Sequence, residues 1–548
     1  KINDSLGQVF FEYFSGGSAG SILFAGAGGG IGNNDEIHIS NRNATSGSGD
    51  YFLITDNFFR DTSAWYHLVL QYDTTQSTAS DRIKLYVNGN LASFSSASYP
   101  PQNYDSTAFL AGTAVAHNIG YGAPTGLANY FGGYLAEFNF IDGQALTPAS
   151  FGETNAATGQ WNPIKYTGSY GNQGFYLNFS DNSGTTATTL GKDSSGNGNN
   201  FTPTNFSVSA GAGNDSVEDT PTNNFPTFNP LVQNVNTFSE GNLQVTMTSN
   251  TPSSFYSTMG VSSGKYYMEF LVKSNNNYPL GISGSTQSSN YFSLGDQIGF
   301  WLASTSTRVF RNGSNITSNS VVVGNFETGV EGTSTSWAVD DIAGLALDMD
   351  NKIIYLYKGS TQVGYVNFST FDYDTVFFGG GNYINGNVYI GNFGQRPFTH
   401  TPPTGYKALC SANLPDPTIL LPNKHFDTLL FSGTGNSGRT VTGLEFQPDW
   451  FWGKSRSAAF QHILFDSVRG TGTSKSLSSN QTNAEGHNSA HSNLTSFDAP
   501  TSGANGGVTF GATSSTDVLN YSGGNSVGWF WNAGDTDGKT YTVKVVSD

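Results

Sequence analysis

The residues whose types and spacing could do chemistry are a serine between glycines, a near-phosphate loop, two histidines, some close aspartates and a few aromatics. Gly16-Gly17-Ser18-Ala19-Gly20 has the G-x-S-x-G spacing of a nucleophile elbow. Such an elbow needs a sharp strand-to-helix turn in an α/β sheet, followed along the chain by an acid and a histidine. Ser18 sits instead among Gly/Ser-rich, strand-like sequence, and with 68 glycines a chance match is the favoured reading. Ala533-Gly-Asp-Thr-Asp-Gly-Lys539-Thr540 approaches a phosphate-binding loop, but Ala533 replaces the first glycine and no helical pattern follows. Asp537-Gly538 reads better as a hairpin turn into Tyr541-Thr-Val-Lys-Val. On a helix His487 and His491 would share a face close together; on a strand they would stand ~13 Å apart. Position 488 is not Glu, so this is no zincin motif, and surface-loop histidines are favoured over an intersubunit metal site.

Asp348 and Asp350 would share a strand face and, with Asp340 and Asp341, form a candidate Ca²⁺ set, because Ca²⁺ takes several oxygen ligands. Asp535 and Asp537 invite the same thought. Capping of strand ends and turns is the favoured alternative for all six. Glycoside hydrolysis would need two carboxyl groups facing each other across a cleft. Glu137 is the only inward candidate, and it stands alone. Trp65, Trp301, Trp337 and Tyr121 could stack on sugar rings, though each reads first as core, since aromatics carry much of the burial in thin sandwiches. No catalytic, cofactor-binding or metal residue is therefore assigned. No cofactor is expected, with Ca²⁺ left open.

The elements that must carry these side chains are strands. The chain has 548 residues, enough for three or four domains at ~100–200 residues each. Aromatics make up 14% and charged residues only 11%, with 68 Gly as punctuation, a composition that favours short strands and tight turns. The 41 Phe and 27 Tyr argue against disorder. A net charge of −17 repels phosphate backbones and anionic lipid, so nucleic-acid binding is not expected, and with no run of ~18 apolar residues neither is membrane insertion. The one cysteine, Cys410, allows no internal disulfide, so stability must come from large sheets or from oligomerisation. Asn-x-Ser/Thr triplets such as those at Asn43 and Asn493 are expected by chance in so Asn-, Ser- and Thr-rich a chain. The final run, Tyr541 to Asp548, reads as a strand cut short, and the whole as an ordered segment of a longer polypeptide.

Strand signals divide the chain. Residues 1–152 read as a sandwich, with Ile83-Lys-Leu-Tyr-Val87 meeting Asn88-Gly89, the strongest short hairpin signal, and a last strand over Gly133–Ile141. Residues 153–235 read as an irregular Gly/Pro/Asn-rich connector with a few strands. Residues 236–400 alternate as a second sandwich, 401–424 as a Pro-rich linker, and 425–548 as a further β-rich unit with strands at Phe426–Phe431, Trp450–Trp452 and Val527–Trp531. The fold class expected is all-β: tandem β-sandwich, jelly-roll domains joined by Gly/Pro/Asn-rich connectors.

Three resemblances sharpen this. "AWYHLVLQYD", "IKLYVNGN" and "GYLAEFNFIDGQALTPASFGE" are similar to the concanavalin A-like, laminin G-like family, which implies a two-sheet jelly roll, often carbohydrate-binding, with Ca²⁺ as an option at ligands that cannot be assigned. "GKYYMEFLV", "IAGLALDMDNKIIYLYKGS" and "VYIGNFGQRPF" resemble the SPRY fold, a binding module that works through loops at one end. "DTPTNNFPTFNPL", "NFGQRPFTHTPPTGYKALCSANLPDPTI" and "GLEFQPDWFWGKSRSAAFQHILFDSVRG" resemble segments of structural proteins of tailed bacteriophages, marine ones above all. Together they imply a non-enzymatic virion appendage, a tail fibre or spike on the outer surface of the particle. Its expected partners are itself, as a homotrimer, other virion proteins, and polysaccharide or protein of the host surface. A capsid-decoration or tail component, and a polysaccharide-degrading spike, are the alternatives.

Overall fold

The computed structural model describes residues 8–533 except 16–17, 26–34, 44–48, 105–115, 123–128, 157, 210, 212, 233–235, 274–277, 285–295, 305–306, 312–329, 332–334, 370–372, 383, 417–418, 487–492 and 512–517. The described residues are all-β, with only four short 3₁₀ turns beside the strands. Lys1–Thr154 with Trp161–Pro415 make one compact unit; Asn155–Gln160 with Asp416–Asp548 make a second.

The first sandwich opens with β1 (Gln8–Ser15), β2 (Ser18–Ala25), β3 (Glu36–Asn43) and β4 (Gly49–Thr55). β5 (Leu68–Tyr72), β6 (Ile83–Val87) and β7 (Asn90–Leu91) form a separate three-stranded sheet. β8 (Phe94–Ser98) and β9 (Ala116–Ile119) complete a six-stranded antiparallel sheet in the order β8-β4-β3-β2-β1-β9. Alternation decides which side chains meet: Phe10, Ile37, Ile39, Tyr51 and Leu53 of the large sheet pack on Ile83 and Leu85 of the small one. Asn88 and Gly89 turn the hairpin with φ of 49° and 81°, the left-handed pair that a two-residue turn requires. A Cβ on Gly89 would also stand 2.7 Å from the Trp161 ring.

Next come the small ribbons: β10 (Tyr121–Gly122) with β11 (Asn129–Tyr130), β12 (Phe138–Phe140) with β15 (Phe175–Leu177), and β13 (Gly152–Thr154) with β14 (Trp161–Pro163). The strand expected over Gly133–Ile141 is thus confined to Phe138–Phe140, and it pairs with the connector. Phe138, Phe140 and Phe175 stack at 5.8 and 5.3 Å and meet Phe11 on the opposite face of β1 from Phe10. The connector is held by Asp193, only 6% exposed. Its carboxylate accepts the N–H groups of Tyr176, Ser195 and Asn199 and the Ser195 hydroxyl, all at 2.8–2.9 Å.

Burial works to raise the Asp193 pKa, but those donors hold it below the ordinary carboxylate value. Because the folded value lies below the unfolded one, this stabilisation is present above about pH 4 and lost as pH falls through the folded pKa. Asp193→Asn is expected to lower stability at neutral pH by about 2 kcal/mol. In urea titrations its gap to the parent chain should narrow on acidification; a gap independent of pH would contradict the assignment.

The second sandwich has β16 (Asn236–Ser239), β17 (Gln244–Met247), β18 (Phe255–Val261), β19 (Lys265–Val272), β20 (Tyr278–Ser283), β21 (Gln297–Leu302), β22 (Thr307–Arg311) and β23 (Val330–Glu331). It continues with β24 (Ile342–Asp348), β25 (Ile353–Lys358), β26 (Thr361–Asn367), β27 (Val376–Gly380), β28 (Val388–Asn392) and β29 (Lys407–Ala408). One sheet runs β16-β17-β28-β19-β24-β25-β26-β23 and the other β18-β27-β20-β21-β22. Their facing side chains make the largest core, with Tyr278 and Tyr389 stacked 3.9 Å apart.

The Pro-rich stretch expected as a linker is partly built into this sandwich. β29 pairs in parallel with β19, Leu409 is a core residue, and Cys410 is buried, which raises its thiol pKa. Buried Glu269 pins the approach by accepting the Thr399 and His400 N–H groups, each at 2.8 Å. The connector is stitched in as well: Phe228 lies in the core, and Arg396 Nε donates to the Asn214 carbonyl at 2.9 Å.

The second unit contains β30 (Phe426–Ser432), β31 (Arg439–Leu444), β32 (Trp450–Ser455), β33 (Ile463–Asp466), β34 (Leu477–Ser478), β35 (Leu494–Asp498), β36 (Gly506–Phe510) and β37 (Asn525–Trp531). A five-stranded sheet, β30-β37-β32-β33-β34, covers a three-stranded one, β31-β36-β35. Phe431, Phe451, Phe465 and Phe530 face inward onto Val441, Leu494, Val508 and Phe510.

Candidate functional site

The residues singled out by sequence mostly have structural employment. Ser15 and Ser18 are cross-strand partners of antiparallel β1 and β2, so Ser18 opens a strand rather than the helix that a nucleophile elbow requires. The acidic set is dispersed into separate ion pairs: Asp348 with Lys265 at 2.7 Å, Asp340 with Lys273 at 2.6 Å and Asp341 with Lys358 at 2.8 Å. Asp350 accepts the Gly264 N–H. Among the described residues no cluster of His, Cys, Asp and Glu could hold a metal ion. Glu137, expected to point inward, is exposed, with φ of 51°; the left-handed kink that ends the irregular approach to β12 turns it outward. His487, His491, Asp535, Asp537 and Lys539 lie outside the described residues.

Three of the four candidate aromatics are likewise occupied. Trp65 Nε1 donates to Asp219 at 2.9 Å, Trp337 is buried and donates to Thr307 at 2.9 Å, and Trp301 packs against the Tyr256–Phe310 cluster. Trp65 belongs to a seam within the first unit, where the Tyr134 hydroxyl donates to the Gly241 carbonyl and burial pushes its pKa far up.

The aromatic surface that the structure does present was not picked out by sequence. It is the outer face of the five-stranded sheet in the second unit, and it carries four of the chain's eight tryptophans. Strand register sets them in rows. Phe426, Trp531, Trp450 and Asp466 stand side by side; the next row is Thr428, Trp529, Trp452 and Leu464; then come Leu430, Val527 and Lys454. Trp450 and Trp531 stack at 4.5 Å, Phe426 lies 4.9 Å from Trp531, and Trp452 and Trp529 tilt together at 5.6 Å. Each tryptophan is half-buried by its neighbours alone, while Phe426 is 40% and Leu430 67% exposed.

The rim is polar. The Trp452 indole N–H donates to His462 Nδ1 at 3.3 Å. Burial, with the Lys454 charge beside it, lowers the His462 pKa, so the ring is neutral at pH 7 and free to accept that bond. Asp466 is paired with Arg469 at 2.5 Å. The indole N–H groups of Trp450, Trp529 and Trp531 have no partner among the described residues. A rigid aromatic surface with free N–H donors suits ligands that have an apolar face and many hydroxyls. The available sequence signal was the pair of Trp-Phe-Trp triplets at 450–452 and 529–531, in which the central Phe turns inward and both Trp outward.

With the geometry in place, comparison with known proteins gives two family matches. Residues 3–152 match the family model described as the concanavalin A-like lectin/glucanases superfamily. The first sandwich is laminin G-like. Residues 421–547, which hold the tryptophan face, match a domain of unknown function, DUF7483. Among solved structures, the SPRY domain of human HERC1 is similar at 18% identity, covering 27% of this chain and 87% of that one, with a TM-score of 0.21. The TRIM65 PSpry domain is similar at 14% identity, covering 31% and 92%, with a TM-score of 0.24. No curated protein matches the chain. On the laminin G-like domain itself, the candidate left open is Tyr121, whose ring lies 5.0 Å from that of Tyr130, 63% exposed.

Proposed function

We propose that this protein is an attachment module of a tailed-bacteriophage virion, a tail fibre or spike that holds glycan of the bacterial surface on the tryptophan face of its C-terminal domain. The observation that carries the reading is the row of outward Phe426, Trp450, Trp452, Trp529 and Trp531 on one open sheet. Sugar rings offer an apolar face to such aromatics and hydroxyls to their N–H groups. The reading is supported on the sequence side by the phrases that resemble tailed-phage structural proteins. Single sites of this kind are weak, and a trimeric appendage would gain ~10²–10⁴ in avidity when several copies engage one surface. On this reading the chain binds without cleaving, which the pairing of Asp466, a carboxylate on the face, with Arg469 supports.

The test is a tryptophan-fluorescence titration of the full chain against a panel of bacterial surface polysaccharides, with reducing ends assayed alongside. A saturable shift with no release of reducing ends is the expected result. A purely structural role would give no shift with any polysaccharide, and the face would be covered instead by another virion protein. Steady release of reducing ends would replace the proposal with a degrading spike.

A further inference from the structure

The tryptophan rows continue, in register, to Ser432 and Asn525, and there the surface opens into a cavity of about 410 Å³. Ser432, Arg439, Thr442, Arg456, Asn525 and Ser526 supply its polar lining, and no carboxylate contributes to it. The state of the two arginines is unusual for this chain. Among the described arginines, Arg60, Arg396 and Arg469 are ion-paired, and Arg82 is tied to three carbonyls. Arg439 and Arg456 have no acidic partner among the described residues. Among the described residues Arg439 makes one side-chain bond, from Nη1 to the Thr440 carbonyl, and its Nε is buried with no acceptor. The Arg456 side chain is exposed and makes no hydrogen bond among the described residues. The Ser432 hydroxyl donates to Asn525 Oδ1 at 2.8 Å, which leaves the Asn525 amide NH₂ as a further donor.

A buried guanidinium N–H without an acceptor is costly, and two unpaired guanidinium groups on a protein of net charge −17 have carboxylates to spare elsewhere. We propose that this cavity is an anion subsite that takes the acidic substituent, carboxylate or phosphate, of a glycan lying along the tryptophan rows. Arg439 Nη2 and the Arg456 fork would bind the two oxygens, with Asn525 as the neutral donor. From Trp529 to Asn525 the strand advances about 13 Å, a span that a short oligosaccharide bridges. The inference rests on the glycan reading above and names the class of glycan: acidic.

The test measures binding of the full chain by calorimetry to oligogalacturonate, to its neutral methyl ester and to a phosphorylated oligosaccharide. Wild type should bind an acidic form more tightly than the ester, and the preference should fade with salt. The form preferred, carboxylate or phosphate, identifies the source of the anion. Arg456→Ala and, separately, Arg439→Lys should each weaken the acidic form about tenfold or more, the loss expected for one charge-assisted pair, and leave the ester unchanged. Equal affinity for acid and ester, or variants that weaken both alike, would overturn the subsite and spare the glycan reading. Should none of the three oligosaccharides bind while glucuronate alone still gives an Arg456-dependent saturation-transfer signal, the subsite stands and the tryptophan platform falls.

Discussion

Replacing Trp452 and Trp529 together by alanine is expected to weaken polysaccharide binding about a hundredfold while the domain stays folded. Trp529 and Trp452 are cross-strand neighbours in the middle row, flanked by Thr428 and Leu464. Buried aromatic anchors at binding surfaces cost about 2 kcal/mol or more when truncated, and losses are not additive, so about 3 kcal/mol for the pair is a fair figure. That energy is two decades in affinity. The fold should survive because both side chains point away from the core, which is filled from the same strands by Phe451 and Phe530. The stability lost should be near that of a cross-strand pair, about 1 kcal/mol. Calorimetric binding and a urea midpoint on the same preparation separate the two effects. A variant that binds as the parent does would remove the face from consideration, whatever its midpoint.

The second large effect concerns stability. Glu269→Ala should destabilise the second sandwich by about 3–4 kcal/mol. Glu269 is 2% exposed, and its two oxygens satisfy the backbone N–H groups of Thr399 and His400. Truncation leaves two donors facing a void, at roughly 1–3 kcal/mol each before relaxation. Glu269→Gln keeps one acceptor oxygen and should fall about midway. Hydrogen exchange reads the cause directly: the Thr399 and His400 amides should lose protection in Glu269→Ala before the amides of β19 do. Unchanged exchange at those two positions would mean the carboxylate is not what anchors the segment.

Much of the architecture could be read from alternation. Ile353–Lys358 is a strand because its large residues recur with a period that suits a pleated, half-buried surface, and Asn88-Gly89 marks its hairpin because few other pairs accept positive φ twice. Reading failed where both faces of a strand are apolar. In Trp450-Phe-Trp452 every residue is a large aromatic, so nothing in the pattern says which side meets solvent. The cross-strand partners Trp529 and Trp531 lie some eighty positions along the chain, and only pairing turns four scattered tryptophans into a surface. Glu137 departs from its expected inward position for a related reason: the run Gly133–Ile141 alternates like one strand, yet its first half carries no ladder. The Arg439–Arg456 cavity had no local signature, since it joins the ends of strands from two sheets.

The docking of Phe228 into the second sandwich has a practical corollary for anyone excising that domain. A fragment begun at the apparent start of its strands, near residue 236, would discard a fully buried aromatic ring along with the Pro226 carbonyl that receives Gln395. The hollow left behind is of a size that typically subtracts 3–5 kcal/mol, enough to turn a well-behaved recombinant piece into an aggregating one. Cloning boundaries should therefore be drawn upstream of Asn214, so that the strap carrying Phe228 travels with the sheets it completes.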